Sequence, residues 1–285
     1  MPICPEAFVL MLAAVRVGAV HSLVFSGFGA TALAQRVRAS GSRIVLAADV
    51  TYRKGRAIPL KGVVDEALAN GCESVEACVV VQREPGTASM SPGRDLDWEE
   101  FLAGGAGHDG GHVAMEANEP AYILATAGTT DRPKLVVQTH GGYAVGIHAM
   151  ARWCYGLRPE DVWWATSDIG WVVGHSYMVY APLLVGCTGV AYEGALDHPD
   201  AEAVWRIVEE QAVTGLFASP TGVRLLAGYG QEPPAAHDWS SRATPTASAS
   251  CRSSPARPAW RCRASSSPWW TRTAPRCRRA RRASW

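Results

Sequence analysis

The chain has no unbroken apolar stretch long enough to cross a bilayer, no Cys-x-x-Cys pair and no Gly-Lys-Ser/Thr after a glycine-rich loop. The first absence argues against a membrane-spanning helix. The apolar start, MPICPEAFVLMLAAVRVGAV, carries Glu6 and Arg16 inside the run and lacks a basic leading region, so it reads as a buried helix and not a signal peptide. The second absence leaves eight cysteines with no metal-ligand spacing, which fits a reduced, cytoplasmic compartment. Glu84, His108, Asp109 and His112 are too irregularly spaced, in glycine-rich surroundings, to suggest a metal site. The third absence excludes the common P-loop.

The segment from Ser240 to Trp285 lacks much more. It has no Asp, Glu or Lys and no Leu, Ile, Val or Phe, yet it holds 11 Arg. Of 27 basic residues in all, 16 therefore remain in residues 1–239 against 26 acidic ones, so a body of charge −10 carries a tail of +11. With few aliphatic groups to bury, residues 240–285 cannot offset their ordering entropy and are expected to be a disordered tail. Their composition reads like a GC-rich gene translated out of frame. Tryptophans interleaved with arginines are weak grounds for nucleic-acid binding without a fold to present them.

What is present is an alternation of helix and strand signals at 48% apolar content. Helical spacing covers Glu6–Val17, Thr31–Arg38 and Leu60–Ala69, while Val20–Phe25, Arg43–Ala48 and Val75–Val81 read as strands. A loop-rich stretch from Glu84 to Glu119 holds one helical piece near Trp98–Leu102. Helices are expected over Gly142–Arg152, from His198 through Glu210 with Pro199 at its start, and over Pro220–Ala227. Strands are expected at Tyr122–Ala125, Leu135–Thr139, Val162–Ala165, Thr188–Tyr192 and Gly215–Ala218. The fold class is α/β, layered with mostly parallel sheets.

Between two of those strands lies Thr126-Ala127-Gly128-Thr129-Thr130, followed by Pro133 and Lys134. Backbone N–H groups and hydroxyls of such a loop can surround a polyphosphate, and Lys134 adds a compact positive charge. This order resembles the ATP loop of the AMP-forming acyl-CoA synthetases, the adenylate-forming superfamily. SDIGWVVGHSYMVYAPLL (Ser167–Leu184) with Tyr192-Glu193-Gly194 is similar to the segment that short-chain members place beside the acyl pocket. The wording is nearest to propionate–CoA ligases, with acetate–CoA ligases close behind, and the likeness runs from near Pro5 to about Ser241. Three loop positions depart from the family: Ala127 replaces Ser, and Asp131 and Leu135 replace Gly.

The resemblance implies a partial AMP-binding domain over residues 1–239. It implies activation of propionate or acetate with ATP to acyl-AMP and transfer to CoA, with Mg²⁺ accompanying ATP. Thr126, Ala127, Gly128, Thr129, Thr130 and Lys134 would hold the phosphates. Trp171, Val172 and Val173 would line the acyl pocket, although apolar residues in a buried hairpin need no ligand. Arg53, Arg56 and Asp197 would meet CoA. Asp168 and His175 invite an acid–base reading, but the attacking carboxylate needs no base, which favours structural roles. In relatives the adenine and ribose contacts, the hinge and the mobile C-terminal domain come later, and an N-terminal segment precedes. Residues 1–285 alone are thus expected to be inactive, with no confident catalytic residue. The alternative is a non-catalytic nucleotide- or CoA-binding module whose basic tail is an interaction arm. The expected partners are small molecules, with neither nucleic acid nor membrane.

Overall fold

A computed structural model describes residues 1–126 and 134–229, together with the short segments 260–263 and 278–279. The chain divides into two units. One comprises Met1–Tyr52 and Arg56–Gly142, the other Arg53–Gly55 and Tyr143–Trp285.

In the first unit, helix α1 (Pro5–Arg16) has Pro5 in its first turn, where no N–H is missed. Helix α2 (Ala30–Ser40), strand β1 (Ile44–Ala48), the paired strands β2 (Val50–Arg53) and β3 (Arg56–Pro59), and helix α3 (Lys61–Ala69) follow. Strand β4 (Ala77–Val81) pairs in parallel with β1, and β5 (Asp95–Asp97) in parallel with β4. Leu33, Ala34 and Val37 of α2 and Val63, Ala67 and Leu68 of α3 pack with Val45 of β1. The crossover helix thus covers the β-branched strands, as a parallel sheet requires. Buried Asp49, just after β1, accepts N–H bonds from Val50, Arg83 and Glu84 at 2.7, 2.9 and 2.8 Å. These donors offset the cost of burying its carboxyl group. Helix α4 (Trp98–Gly104) is capped by Asp97, which accepts from the Glu99 N–H.

Strands β6 (Pro120–Thr126) and β7 (Lys134–Thr139) form an antiparallel pair whose last register partners are Thr126 and Lys134. The expected strand at Val20–Phe25 is reduced to one parallel bridge, His21 to Tyr122. Six apolar-leaning residues suffice for the pattern, but only His21 meets a strand with an open edge.

In the second unit, helix α5 (His140–Ala149) begins two residues earlier than expected and continues as π-helical turns over Met150–Cys154. Strand β8 (Val162–Ala165) is followed by π-helical turns over Gly174–Tyr180, helix α6 (Ala181–Val185) and strand β9 (Thr188–Ala191). The segment read as a possible buried hairpin is therefore helical. Helix α7 (Ala203–Glu210) starts five residues after His198, because Asp197 to Glu202 form turns. Strand β10 (Gly215–Phe217) and helix α8 (Pro220–Gly228) complete the series. Ser219 caps α8 by accepting the Gly222 N–H at 3.0 Å, with Pro220 in the first turn.

The sheet order is β10-β8-β9, all parallel. Adjacent residues on β8 serve opposite faces. Trp164 packs with Val204, Trp205 and Val208 of α7 and Leu226 of α8. Trp163 packs with Ile147, Ala151 and Ala181. At the β9 edge, strand β11 (Trp260–Arg263) pairs antiparallel with β9, and β12 (Arg278–Arg279) pairs with β11. Edge pairing asks only for main-chain N–H and C=O groups, so poverty in aliphatic side chains does not prevent it.

Candidate functional site

The anchors of the proposed phosphate loop are the ends of β6 and β7, where Thr126 and Lys134 face each other in register. Lys134 is exposed. Ala127, Gly128, Thr129 and Thr130, with Asp131, lie outside the described residues.

The second block is built on one tight turn. Asp168 accepts the Gly170 N–H at 2.7 Å through its side chain and the Trp171 N–H at 3.1 Å through its carbonyl. The chain then passes into the π-helical turns with Gly174 pressed on Asp168. A Cβ at Gly174 would lie 2.0 Å from the Asp168 carbonyl oxygen, so only glycine fits. Trp171 and Val172 are left 42% and 55% exposed, and Val173 is half-buried. Core packing alone does not account for this exposed apolar pair. π-Helical turns are uncommon and are found frequently at functional sites.

Beneath the turn, His175 is wholly buried. Burial pushes its pKa down to about 4, although its ring faces the carbonyls of Ile169 and Trp171. Burial raises the Asp168 pKa, opposed by the Gly170 N–H and the charge of Arg53. A neutral His175 turned to backbone carbonyls holds the turn; it is not arranged as a proton carrier. The hydroxyls of Tyr143 and Ser176 meet at 2.9 Å, and Trp163 donates its indole N–H to the Tyr177 carbonyl at 2.8 Å.

Of the residues expected to meet CoA, Arg53 ends β2 and Arg56 begins β3, and both are exposed. Arg53 belongs to the second unit and Arg56 to the first. Lys54 and Gly55 form the two-residue turn between them, with φ of 46° and 77°. Such paired positive values suit a tight hairpin turn. Lys54 Nζ reaches Asp197 Oδ2 at 2.7 Å, and the Tyr229 hydroxyl donates to the same oxygen at 3.2 Å. Sequence reasoning missed Lys54 and Tyr229. The Lys-Gly dipeptide between extended runs was the available signal for the turn, but nothing local ties it to a residue 143 positions away.

Glu84 accepts a hydrogen bond from the Tyr52 hydroxyl at 2.7 Å, and Asp109 accepts the Gly111 N–H at 2.9 Å. Among the described residues no three His, Cys, Asp or Glu side chains are grouped to hold a metal ion. No helix among them is long and apolar enough to cross a membrane.

Residues 1–267 match the family described as AMP-binding enzyme, a match that continues past the change in composition near residue 240. The chain is 44% identical over 245 residues to the acetyl-coenzyme A synthetase of Pyrobaculum aerophilum, covering 84% of this chain and 36% of that protein. It is 40% identical over 242 residues to the acetyl-coenzyme A synthetase of Laribacter hongkongensis, covering 85% and 37%. Among solved structures, acetoacetyl-CoA synthetase from Streptomyces lividans is similar with a TM-score of 0.75 at 26% identity, over 84% of this chain and 36% of that one. The chain thus spans somewhat more than a third of the length of these relatives.

Proposed function

Because the chain belongs to the AMP-binding enzyme family, we propose that it carries the phosphate loop and acyl-pocket segment of a short-chain acyl-CoA synthetase acting on acetate or propionate. The supporting observation is the exposed apolar pair Trp171–Val172, held on a turn that admits only glycine at position 174. A carboxylate oxygen of the acid attacks the α-phosphorus of ATP and the bond to pyrophosphate breaks. The CoA sulfur then attacks the acyl carbonyl, AMP leaves, and the thiol proton passes to solvent.

Negative charge grows on phosphate oxygens in the first step. N–H groups and hydroxyls of residues 126–130 with the Lys134 ammonium answer that need, the substrate being the Mg²⁺ complex of ATP. Trp171, Val172 and Val173 would bound the acyl chain. One methylene is worth only about 1–3 kcal/mol in such a pocket, so these residues do not by themselves tell acetate from propionate. Arg53 and Arg56 would meet the nucleotide end of CoA, while Asp197, engaged by Lys54 and Tyr229, is left out of that contact.

The test combines acetate or propionate with ATP, CoA and Mg²⁺ and follows pyrophosphate release. Turnover with either acid would support the short-chain reading, and ATP and CoA binding without turnover would favour the second reading below. Saturable ATP binding that weakens on Lys134→Ala would support the loop assignment, and flat calorimetry at millimolar ATP would remove it.

A second reading is a binding module without catalysis, with the arginine-rich tail as an interaction arm. The exposed Arg53 at the hairpin tip and the 11 tail arginines favour it. Saturable CoA binding lost on Arg53→Ala, without turnover, is its expected signature.

A further inference from the structure

The Lys54–Asp197 pair is the feature of the second unit that the proposed reaction does not use. Lys54 sits at the tip of the β2–β3 hairpin in a left-handed conformation, which side chains other than Gly, Asn and Asp adopt uncommonly. Its ammonium nonetheless lies 2.7 Å from Asp197, whose side chain is only 9% exposed. The Tyr229 hydroxyl adds a second hydrogen bond to the same carboxylate oxygen. The hydrogen bond from Lys54 holds the Asp197 carboxyl below the usual carboxylate range, against the opposing effect of burial. Next to Lys54, Gly55 lies on the His198 ring, where a Cβ would sit 3.1 Å from Nε2. Two contacts, Lys54 to Asp197 and Gly55 to His198, therefore dock the turn Arg53–Gly55 on the turn that contains Asp197 and His198.

This arrangement solves an electrostatic difficulty. Arg53 opens the turn as a candidate for binding a phosphate group of CoA, yet a carboxylate of the same unit sits beside that turn. An uncompensated carboxylate there would repel a phosphate and pull on Arg53. Paired with Lys54 it is neutralised, and its attraction fixes the backbone next to Arg53.

We infer that Lys54 and Asp197 form a positioning clasp for a phosphate subsite at the hairpin tip, in which Lys54 acts by neutralising Asp197 and holding the turn rather than by touching the ligand. The inference rests on the reading of Arg53 as CoA-binding. Its ligand class is a nucleotide carrying a phosphate on its ribose. Lys54 and Asp197 are positioning residues, and neither takes part in bond making.

The test is calorimetry of the 285-residue chain with CoA and with dephospho-CoA, which lacks the ribose phosphate. Lys54→Met should weaken CoA binding about tenfold by exposing the ligand to an unpaired carboxylate. Lys54→Arg should keep binding within about threefold, since charge and reach are retained. The double variant Lys54→Met/Asp197→Asn should recover most of the loss, because the repulsive charge is gone with its partner. Dephospho-CoA should respond to none of these changes by more than about twofold. A double variant as weak as Lys54→Met would overturn the clasp and make Lys54 a direct ligand contact. Equal losses for dephospho-CoA would overturn the phosphate assignment. If the unaltered chain binds no CoA, the CoA reading itself fails and the clasp's role fails with it. Unchanged melting of Lys54→Arg and Asp197→Asn shows that the differences arise from binding and not from unfolding.

Discussion

The α-carbon of Gly174 rests against the backbone of Asp168 so closely that a methyl group placed there would stand 2.0 Å from the Asp168 carbonyl oxygen. That approach turns the chain sharply after Ile169 and presents Trp171 and Val172 outward while His175 goes inward. Gly174→Ala must push the two backbones apart. It is expected to cost at least about 2 kcal/mol, by analogy with overpacked sites that cannot relax. Urea unfolding of the two proteins checks the magnitude. A shift in tryptophan emission should accompany it, since Trp171 leads into the displaced turn.

Acid should weaken the fold through His175. Its pKa is about 4 in the fold because of burial, against an ordinary 6.5, so the native state refuses a proton that the unfolded chain accepts. Stability is full above about pH 6.5 and falls as pH drops toward about 4, below which the contribution levels off, for a total on the order of 3 kcal/mol. Urea midpoints at pH 7, 6 and 5 measure the slope. His175→Asn lowers stability at every pH through lost packing but should flatten that slope. Equal slopes in both proteins would show that His175 is not the titrating group.

A buried ion cluster in the first unit has the opposite composition. Lys61 contacts Asp65 and Asp95 at 2.6 and 2.7 Å, and Arg94 contacts Asp95 at 2.6 Å and also meets Asp65. Lys61 is 3% exposed and Asp95 fully buried at the side chain. Burial raises the Asp95 pKa, but hydrogen bonds from Arg94 and Lys61 outweigh it and hold the value at about 2. The lowered value makes its contribution present above about pH 3.8 and lost as pH falls through about 2, on the order of 2 kcal/mol. Removing one partner is worse than removing both, because a buried charge is then left alone. Lys61→Met should therefore destabilise by about 3–5 kcal/mol, and Lys61→Met/Asp95→Asn by clearly less. Thermal melts of the three proteins decide it.

The phosphate-loop assignment predicts an unusual gain. Asp131 would place a carboxylate beside the triphosphate, a repulsion on the order of 1 kcal/mol in a solvent-accessible site. Asp131→Gly should tighten ATP binding about fivefold, while Lys134→Ala weakens it by a similar factor. Titration with ATP and Mg²⁺ at fixed ionic strength reads both. No change in either variant would place the nucleotide elsewhere.

Much of the architecture was legible because side-chain periodicity reports local burial. The β-branched run at Val75–Val81 became β4, and the flanking runs of the loop became β6 and β7. Val20–Phe25 failed because strand-like composition needs a pairing partner, and only His21 has one. The helix expected from His198 starts instead at Ala203, since residues 197–202 are committed to turns, among them the one holding Asp197 for Lys54. The acyl-pocket block misled in the other direction. Its mostly apolar run, interrupted at His175 and Ser176, hid a helix with π-helical turns, a geometry that no sequence period announces.

Composition and motif order alone determined the α/β class, the parallel sheets and the two blocks that carry the family likeness, because these depend on which residues follow one another within a few positions. Tertiary structure decided what distance in the chain conceals. It placed Lys54 on Asp197, left Trp171 exposed above a buried His175, and paired the arginine-rich strand at Trp260–Arg263 with β9. Such relationships arise from close packing and main-chain pairing between remote segments, and their energies depend on neighbours that only folding supplies.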